Sequence, residues 1–133
     1  MRVYFAAVHK DKQSDFTALF PGVPGCITAG STMEELAEMV QEALRGHLEV
    51  VRDFGGQIPA PFTLDEARAH ENGQGAECFL AVPVEVEEGK SVRLNITLPE
   101  GLLHNLDIFA RHRGLSRSAF LAKAARLAMR PTA

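Results

Sequence analysis

The chain is poor in the groups that mark a membrane span, a metal site or a disulfide framework. No apolar run approaches the roughly 18 residues needed to cross a bilayer, and the opening Met1-Arg2-Val3-Tyr4-Phe5 lacks the layout of a secretion signal, so a cytoplasmic protein with no membrane partner is expected. Only two cysteines occur, Cys26 and Cys78. They lack the close spacing of a zinc knuckle or a redox pair, and a reducing cytosol argues against a bridge, so both are expected as packed thiols. The histidines (His9, His47, His70, His104, His112) are scattered without a His-x-x-x-His pair or a cysteine nearby, so no metal or other cofactor is expected. Positive charge is also scarce, but only up to residue 88, where 6 Lys or Arg stand against 15 Asp or Glu, a net of −9. From Gly89 onward the balance reverses to 8 against 2, a net of +6, which the whole-chain value of −3 conceals. An acidic body of about 85 residues followed by a small basic module offers two surfaces to different partners, and the basic one suits nucleic acid.

In the acidic body, residues 3–9 are β-branched, aromatic and apolar with no breaker, which predicts a strand. A polar turn over 10–14 leads to residues 16–20, where Phe16, Ala18 and Phe20 fall on one side of a hairpin partner. Pro21-Gly22-Val23-Pro24-Gly25 is a rigid double turn before a short third strand at 26–29. Ser31 and Thr32 stand three residues ahead of Glu34 and Glu35, so either hydroxyl is able to cap the helix that follows. Leu36, Val40, Ala43, Leu44, His47, Leu48 and Val51 recur along it at helical spacing. Glu34, Glu35, Glu38, Glu42, Arg45 and Glu49 take most of the other positions, leaving one stripe for a sheet and one for solvent or a partner. Gly55-Gly56 ends the helix, Ile58-Pro59-Ala60-Pro61 runs extended, and Thr63-Leu64-Asp65-Glu66 caps a short helical piece ending near His70. After a loop over 71–75, residues 79–86 form a strand that Pro83 assigns to a sheet edge or bulge.

The run Phe20-Pro21-Gly22-Val23-Pro24-Gly25-Cys26, then Gly30-Ser31-Thr32-Met33-Glu34-Glu35, a helix ending near Arg52, and Ile58-Pro59-Ala60-Pro61 resembles the N-terminal domain of the HicB antitoxin family. The resemblance covers about residues 1–86. It implies a partial ribonuclease H-like fold, β-β-β-α-β, whose usual work is to bind and mask the HicA toxin, a small basic mRNA-cleaving RNase. Nuclease chemistry in the body itself is not expected. A two-metal nuclease needs clustered carboxylates to hold cations about 3.5 to 4 Å apart, yet residues 3–9 contain no acid, and Asp11 and Asp15 fall in the following turn region. No acid, base and nucleophile converge, so no catalytic residue is assigned.

Beyond Glu87-Glu88-Gly89-Lys90, residues 92–98 alternate strictly. Val92, Leu94, Ile96 and Leu98 point one way and Arg93, Asn95 and Thr97 the other. Pro99 suits the first turn of a helix with Leu102, Leu103, Leu106, Phe109 and Ala110 on its apolar face, closing at Gly114. Ser116 caps a second helix carrying Phe120, Leu121, Ala124, Leu127 and Ala128 inward, and Pro131 ends it. Strand, helix, turn and helix, with Leu98-Pro99-Glu100 and Gly114-Leu115-Ser116-Arg117-Ser118, resembles the ribbon-helix-helix DNA-binding family over 92 to about 129. So small a unit with one strand buries too little to stand alone, so its strand is expected beside a copy from a second chain, with four helices closing a shared core. The resulting ribbon has the width to enter a major groove, with Arg93, Asn95 and Thr97 reading bases. Lys90 is a further DNA-binding candidate, and Ser116, Arg117 and Ser118 at the helix start hold phosphate. Another reading stays open, in which 87–91 is a hairpin turn joining 79–86 to 92–98 and the polar residues are an ordinary wet sheet face. Arg111, Arg113, Lys123, Arg126 and Arg130 likewise suit either DNA or plain solvent.

The expected architecture is therefore α+β. Residues 1–88 form a HicB-like, partial ribonuclease H-like, toxin-binding domain, and residues 89–133 a ribbon-helix-helix (β-α-α) DNA-binding and dimerisation domain. Together the two resemblances imply an antitoxin that neutralises a HicA-like toxin and represses its own operon by binding operator DNA, as a homodimer or a tetramer. Two alternatives remain: a solitary regulator whose body senses a ligand or oligomerises, and a body that is a vestigial or active nucleic-acid enzyme.

Overall fold

A computed structural model describes residues 1–87 and 89–131. Glu88 and residues 132–133, at the bounds of the expected domains, lie outside the described residues. The elements in chain order are β1 (Arg2–His9), β2 (Phe16–Leu19), β3 (Ile27–Gly30), α1 (Met33–Asp53), α2 (Leu64–Ala69), β4 (Cys78–Val84), α3 (Glu100–His112) and α4 (Arg117–Ala128). They fall into two compact units, Met1–Leu48 with Ile58–Glu88, and Glu49–Gln57 with Gly89–Ala133. Residues 49–57, which the sequence pattern places in the acidic body, thus cluster with the basic tail.

The first unit is an antiparallel sheet in the order β3-β2-β1-β4 with α1 packed on one face. The alternation in β1 turns Tyr4, Ala6 and Val8 into the core, where Leu36, Val40, Leu44 and Leu48 of α1 meet them, one from each successive turn. Tyr4 keeps its polar end satisfied by donating from its hydroxyl to the Pro59 carbonyl at 2.6 Å. Thr32 is the residue that caps α1, its Oγ1 accepting from the Glu35 amide at 3.1 Å, while the Ser31 hydroxyl donates to the Glu35 carboxylate at 2.7 Å. The expected cap on α2 is a full capping box between Thr63 and Glu66. Pro83 sits opposite Val3 in β4, an edge strand bonded to β1 alone, where a missing amide leaves no gap in the ladder.

One close approach sets where α1 starts. A Cβ on Gly30, the last residue of β3, would lie 2.9 Å from the backbone nitrogen of Leu36. Gly30→Ala is expected to push sheet end and helix start apart and to destabilise this unit by about 1–3 kcal/mol, read as a lowered urea midpoint with an unchanged slope.

In the second unit, Pro99 precedes α3 and the Leu103 amide donates to its carbonyl at 3.0 Å. Gly114, at φ 69°, closes α3 in the left-handed conformation that favours glycine. Ser116 caps α4, its hydroxyl accepting from the Ala119 amide at 3.1 Å. The buried apolar residues of the second unit, among those described, are Leu106 and Ala110 of α3 and Leu115 in the turn that follows. Residues 92–98, expected as a strand, join no sheet in the single chain, and the alternative hairpin with 79–86 is not formed.

Candidate nucleic-acid interface and self-association surface

Residues 91–98 of the second unit belong to no sheet and are largely exposed. Val92, Leu94 and Ile96 are 78%, 75% and 60% exposed, although they are the apolar side of a strictly alternating segment. Arg93, Asn95 and Thr97 on the opposite side are exposed as well, as is Lys90. An open groove of about 890 Å³ separates this segment from the helices, with Leu94, Ile96, Leu98, Leu103 and Leu121 among its walls and Arg117 at its lining. Covering an exposed aliphatic side chain is worth roughly 1.5–3 kcal/mol, and the amides and carbonyls of an unpaired strand want a ladder. The segment therefore has both an apolar side and a backbone suited to pairing with another strand.

At the start of α4, two of the residues expected on phosphate have partners within the chain. The Ser116 hydroxyl is taken by the cap, and the Arg117 guanidinium, expected on phosphate, forks onto Asp107, with Nε to Oδ1 and Nη2 to Oδ2 both 2.9 Å. Hydrogen bonds from Arg117 hold the Asp107 carboxyl below its ordinary value, and the same bonds raise Arg117 above its own. What the helix start offers an anion is thus chiefly its free first-turn amides, with Arg117 and Ser118 exposed around them.

A second cluster lies outside the sequence-based expectation. Asp53, the last residue of α1, is only 5% exposed. Lys123 of α4 reaches its Oδ2 at 2.7 Å, and Arg126 Nη1 lies 3.9 Å from its Oδ1. One turn back, Glu49 meets Arg130 at 3.8 Å. Phe54 lies beside the turn after α3, its Cε1 3.4 Å from where a Cβ on Gly114 would stand. The spacing carries a signal: Glu49 and Asp53 are four apart, Lys123 and Arg126 of α4 are three apart, and Arg130 follows four residues later, just past the end of α4. Nothing in the sequence says that those two stripes meet.

On the first unit, Glu34, Glu38 and Glu42 form an exposed acidic stripe along α1. Like charges four residues apart repel by about 0.2–0.5 kcal/mol per pair, although Glu34, in the first turn, also meets the positive end of the helix dipole. Cys26 is buried and its thiol is pushed up to about 11 by that burial, so it is no nucleophile at neutral pH. Among the described residues no group of three His, Cys, Asp or Glu is placed to hold a metal ion, and no helix is long and apolar enough to cross a membrane.

The family model of HicB-like antitoxins of bacterial toxin-antitoxin systems matches residues 4–125. The chain belongs to the HicB-like antitoxin family. Its α+β architecture is similar to the crystal structure of the Burkholderia pseudomallei antitoxin HicB, at 31% identity over 98% of this chain and 100% of that one, with a TM-score of 0.57. The N-terminal domain of the same antitoxin is 26% identical, covering 63% of this chain and 99% of that one, at a TM-score of 0.53. An uncharacterized 14.9 kDa protein from the rep-hol intergenic region of Haemophilus phage HP1 is 32% identical over 111 residues, 79% of this chain and 81% of that protein. The resemblance read from the proline-glycine turn and the start of α1 thus extends over residues 4–125, and the chain's role is that of an antitoxin of a toxin-antitoxin system.

Proposed function

We propose that this antitoxin masks a small basic HicA-like RNase with its first unit and represses its own operon with its second. The observation that carries the second half is the bare alternating segment 92–98, apolar on one side and Arg-Asn-Thr on the other. Beside a copy of itself it becomes a two-stranded ribbon. Val92, Leu94 and Ile96 of both chains then close the groove over Leu103 and Leu121, and a ribbon-helix-helix dimer results. The ridge facing outward carries Arg93, Asn95 and Thr97 twice. Arginine forks onto guanine acceptors, asparagine pairs with adenine, and threonine donates, accepts or meets a thymine methyl. Lys90 and the amides at Arg117 and Ser118 hold flanking phosphates and set register.

For the first half, the partial ribonuclease H-like body has a net charge of −9 through residue 88, and the Glu34, Glu38 and Glu42 stripe gives that charge an exposed helical face. Complementary charge speeds encounter with a basic toxin and disfavours acidic competitors. The body works by binding, without catalysis. Family membership favours this reading over a solitary regulator.

Co-expression with the neighbouring short basic reading frame, pull-down and growth rescue test the toxin half. Rescue with a stable complex is expected; no rescue and no complex contradicts it. For the DNA half, Arg93→Ala is expected to weaken operator binding about 5- to 150-fold, from the roughly 1–3 kcal/mol that a bidentate base contact provides, while growth rescue stays intact. Loss of both by this one change contradicts separable surfaces. Operator affinity is also expected to fall by about tenfold or more between 50 and 200 mM salt, and a flat salt response rules out phosphate contacts.

A further inference from the structure

Four of the eight basic side chains after residue 88 already face an acid: Arg117 with Asp107, Lys123 and Arg126 with Asp53, and Arg130 with Glu49. Two of the four, Lys123 and Arg126, lie on α4, Arg130 follows its end, and all three are matched by the last turns of α1. We propose that Asp53 and Glu49 are specificity-determining residues that stand where DNA phosphates would otherwise bind, withholding Lys123, Arg126 and Arg130 from the duplex. This inference rests on the DNA-binding reading of the second unit and deepens it.

The geometry has the features of an internal anion rather than a chance surface pair. The Asp53 carboxylate is buried at 5% exposure and its Oδ2 accepts from Lys123 at 2.7 Å. Its Oδ1 has no hydrogen-bond partner among the described residues, so its charge is balanced by Lys123 and the nearby Arg126. A phosphate drawing Lys123 away would leave that carboxylate without its closest cation in the interior, a state that proteins avoid. Lys123 and Arg126 are themselves only 36% and 25% exposed. Charge on α4 is therefore present but already used. Sequence-independent attraction to DNA grows with the number of cations that can replace condensed counterions. Engaging Lys123 and Arg126 on the buried Asp53, and Arg130 more loosely on the partly exposed Glu49, lowers affinity for arbitrary duplex while leaving the Arg93, Asn95 and Thr97 ridge to read bases, which raises the ratio of operator to random binding.

The test uses the full-length protein, a duplex of its operator and a random-sequence duplex of equal length, titrated between about 50 and 200 mM salt. Glu49→Gln is expected to steepen the log–log salt slope on random duplex by about one unit per chain, and Glu49→Gln with Asp53→Asn by about two to three, from roughly 0.9 for each additional phosphate neutralised. Random-duplex affinity at the lowest salt should rise at least about tenfold in the double variant, and the operator preference should shrink. Wild-type slope and affinity on random duplex in both variants overturn the proposal. Where circular dichroism shows the double variant unfolded, Glu49→Gln at its partly exposed pair decides by its slope alone. Arg130→Ala in the otherwise native protein supplies the converse: an unchanged slope supports masking, and a shallower one shows that Arg130 already contacts phosphate and contradicts it. Equal binding of wild-type protein to operator and random duplex would instead sink the operator reading, and the slope change in the variants would still test the masking.

Discussion

Leu94→Asp is expected to abolish self-association and operator binding together while leaving growth rescue in place. Leu94 is the middle residue of the exposed trio Val92, Leu94 and Ile96, and it is 75% exposed in the single chain, so the substitution costs the isolated unit little. In the proposed ribbon the same side chain lies between two strands and over the helices, where a carboxylate loses its water and the groove-lining Arg117 is already paired with Asp107. Burying an unpaired charge costs several kcal/mol for each chain, which corresponds to a loss of at least about a thousandfold in affinity. Light scattering should give the single-chain mass at micromolar concentration, and fluorescence anisotropy should detect no operator complex. First-unit packing is untouched, because its buried cluster is drawn from Tyr4 to Leu48 and Val82 to Val86. A Leu94→Asp protein that still associates and binds operator like the native chain contradicts the ribbon.

Leu44→Ala is expected to remove most of the stability of the first unit and with it toxin neutralisation. Leu44 is fully buried between its neighbours Val40 and Leu48 on the stripe that α1 lays on the sheet. Truncating such a leucine loses about 2–5 kcal/mol, part transfer and part cavity, against a typical total of about 5–15 kcal/mol for a domain. The urea midpoint of the first unit should fall accordingly, and growth rescue should fail first at elevated temperature. A loss below about 1 kcal/mol would mean that the site collapses around the deletion, contrary to a close-packed helix on sheet.

Much of this is legible in the sequence because the signals are local. Leucines and valines four apart predict α1, Thr63 with Glu66 predicts the cap on α2, and Gly114 with Ser116 marks the turn between α3 and α4. Pro83 announces an edge strand by its missing amide alone. Ser31 and Thr32 are equally good caps on spacing, and only the chain direction after β3 selects Thr32. What is not legible depends on a partner distant in sequence. Asp53 pairs with Lys123, 70 positions away, and a carboxylate at a helix end gives no sign that it will be buried. Arg117 looks free for phosphate in the sequence because Asp107 lies ten positions earlier on another helix. The perfect alternation of residues 92–98 predicts a strand, yet a strand is defined by its neighbour, and in the single chain this one has none.

Hydrogen exchange of the peptide covering residues 92–98, followed by mass spectrometry on full-length protein over a concentration series, bears most directly on that missing neighbour. Protection of its amides that rises with concentration in step with a doubling of mass is the predicted result. Amides that exchange at the unprotected rate while the protein is fully associated would contradict it, because association would then run through some other surface.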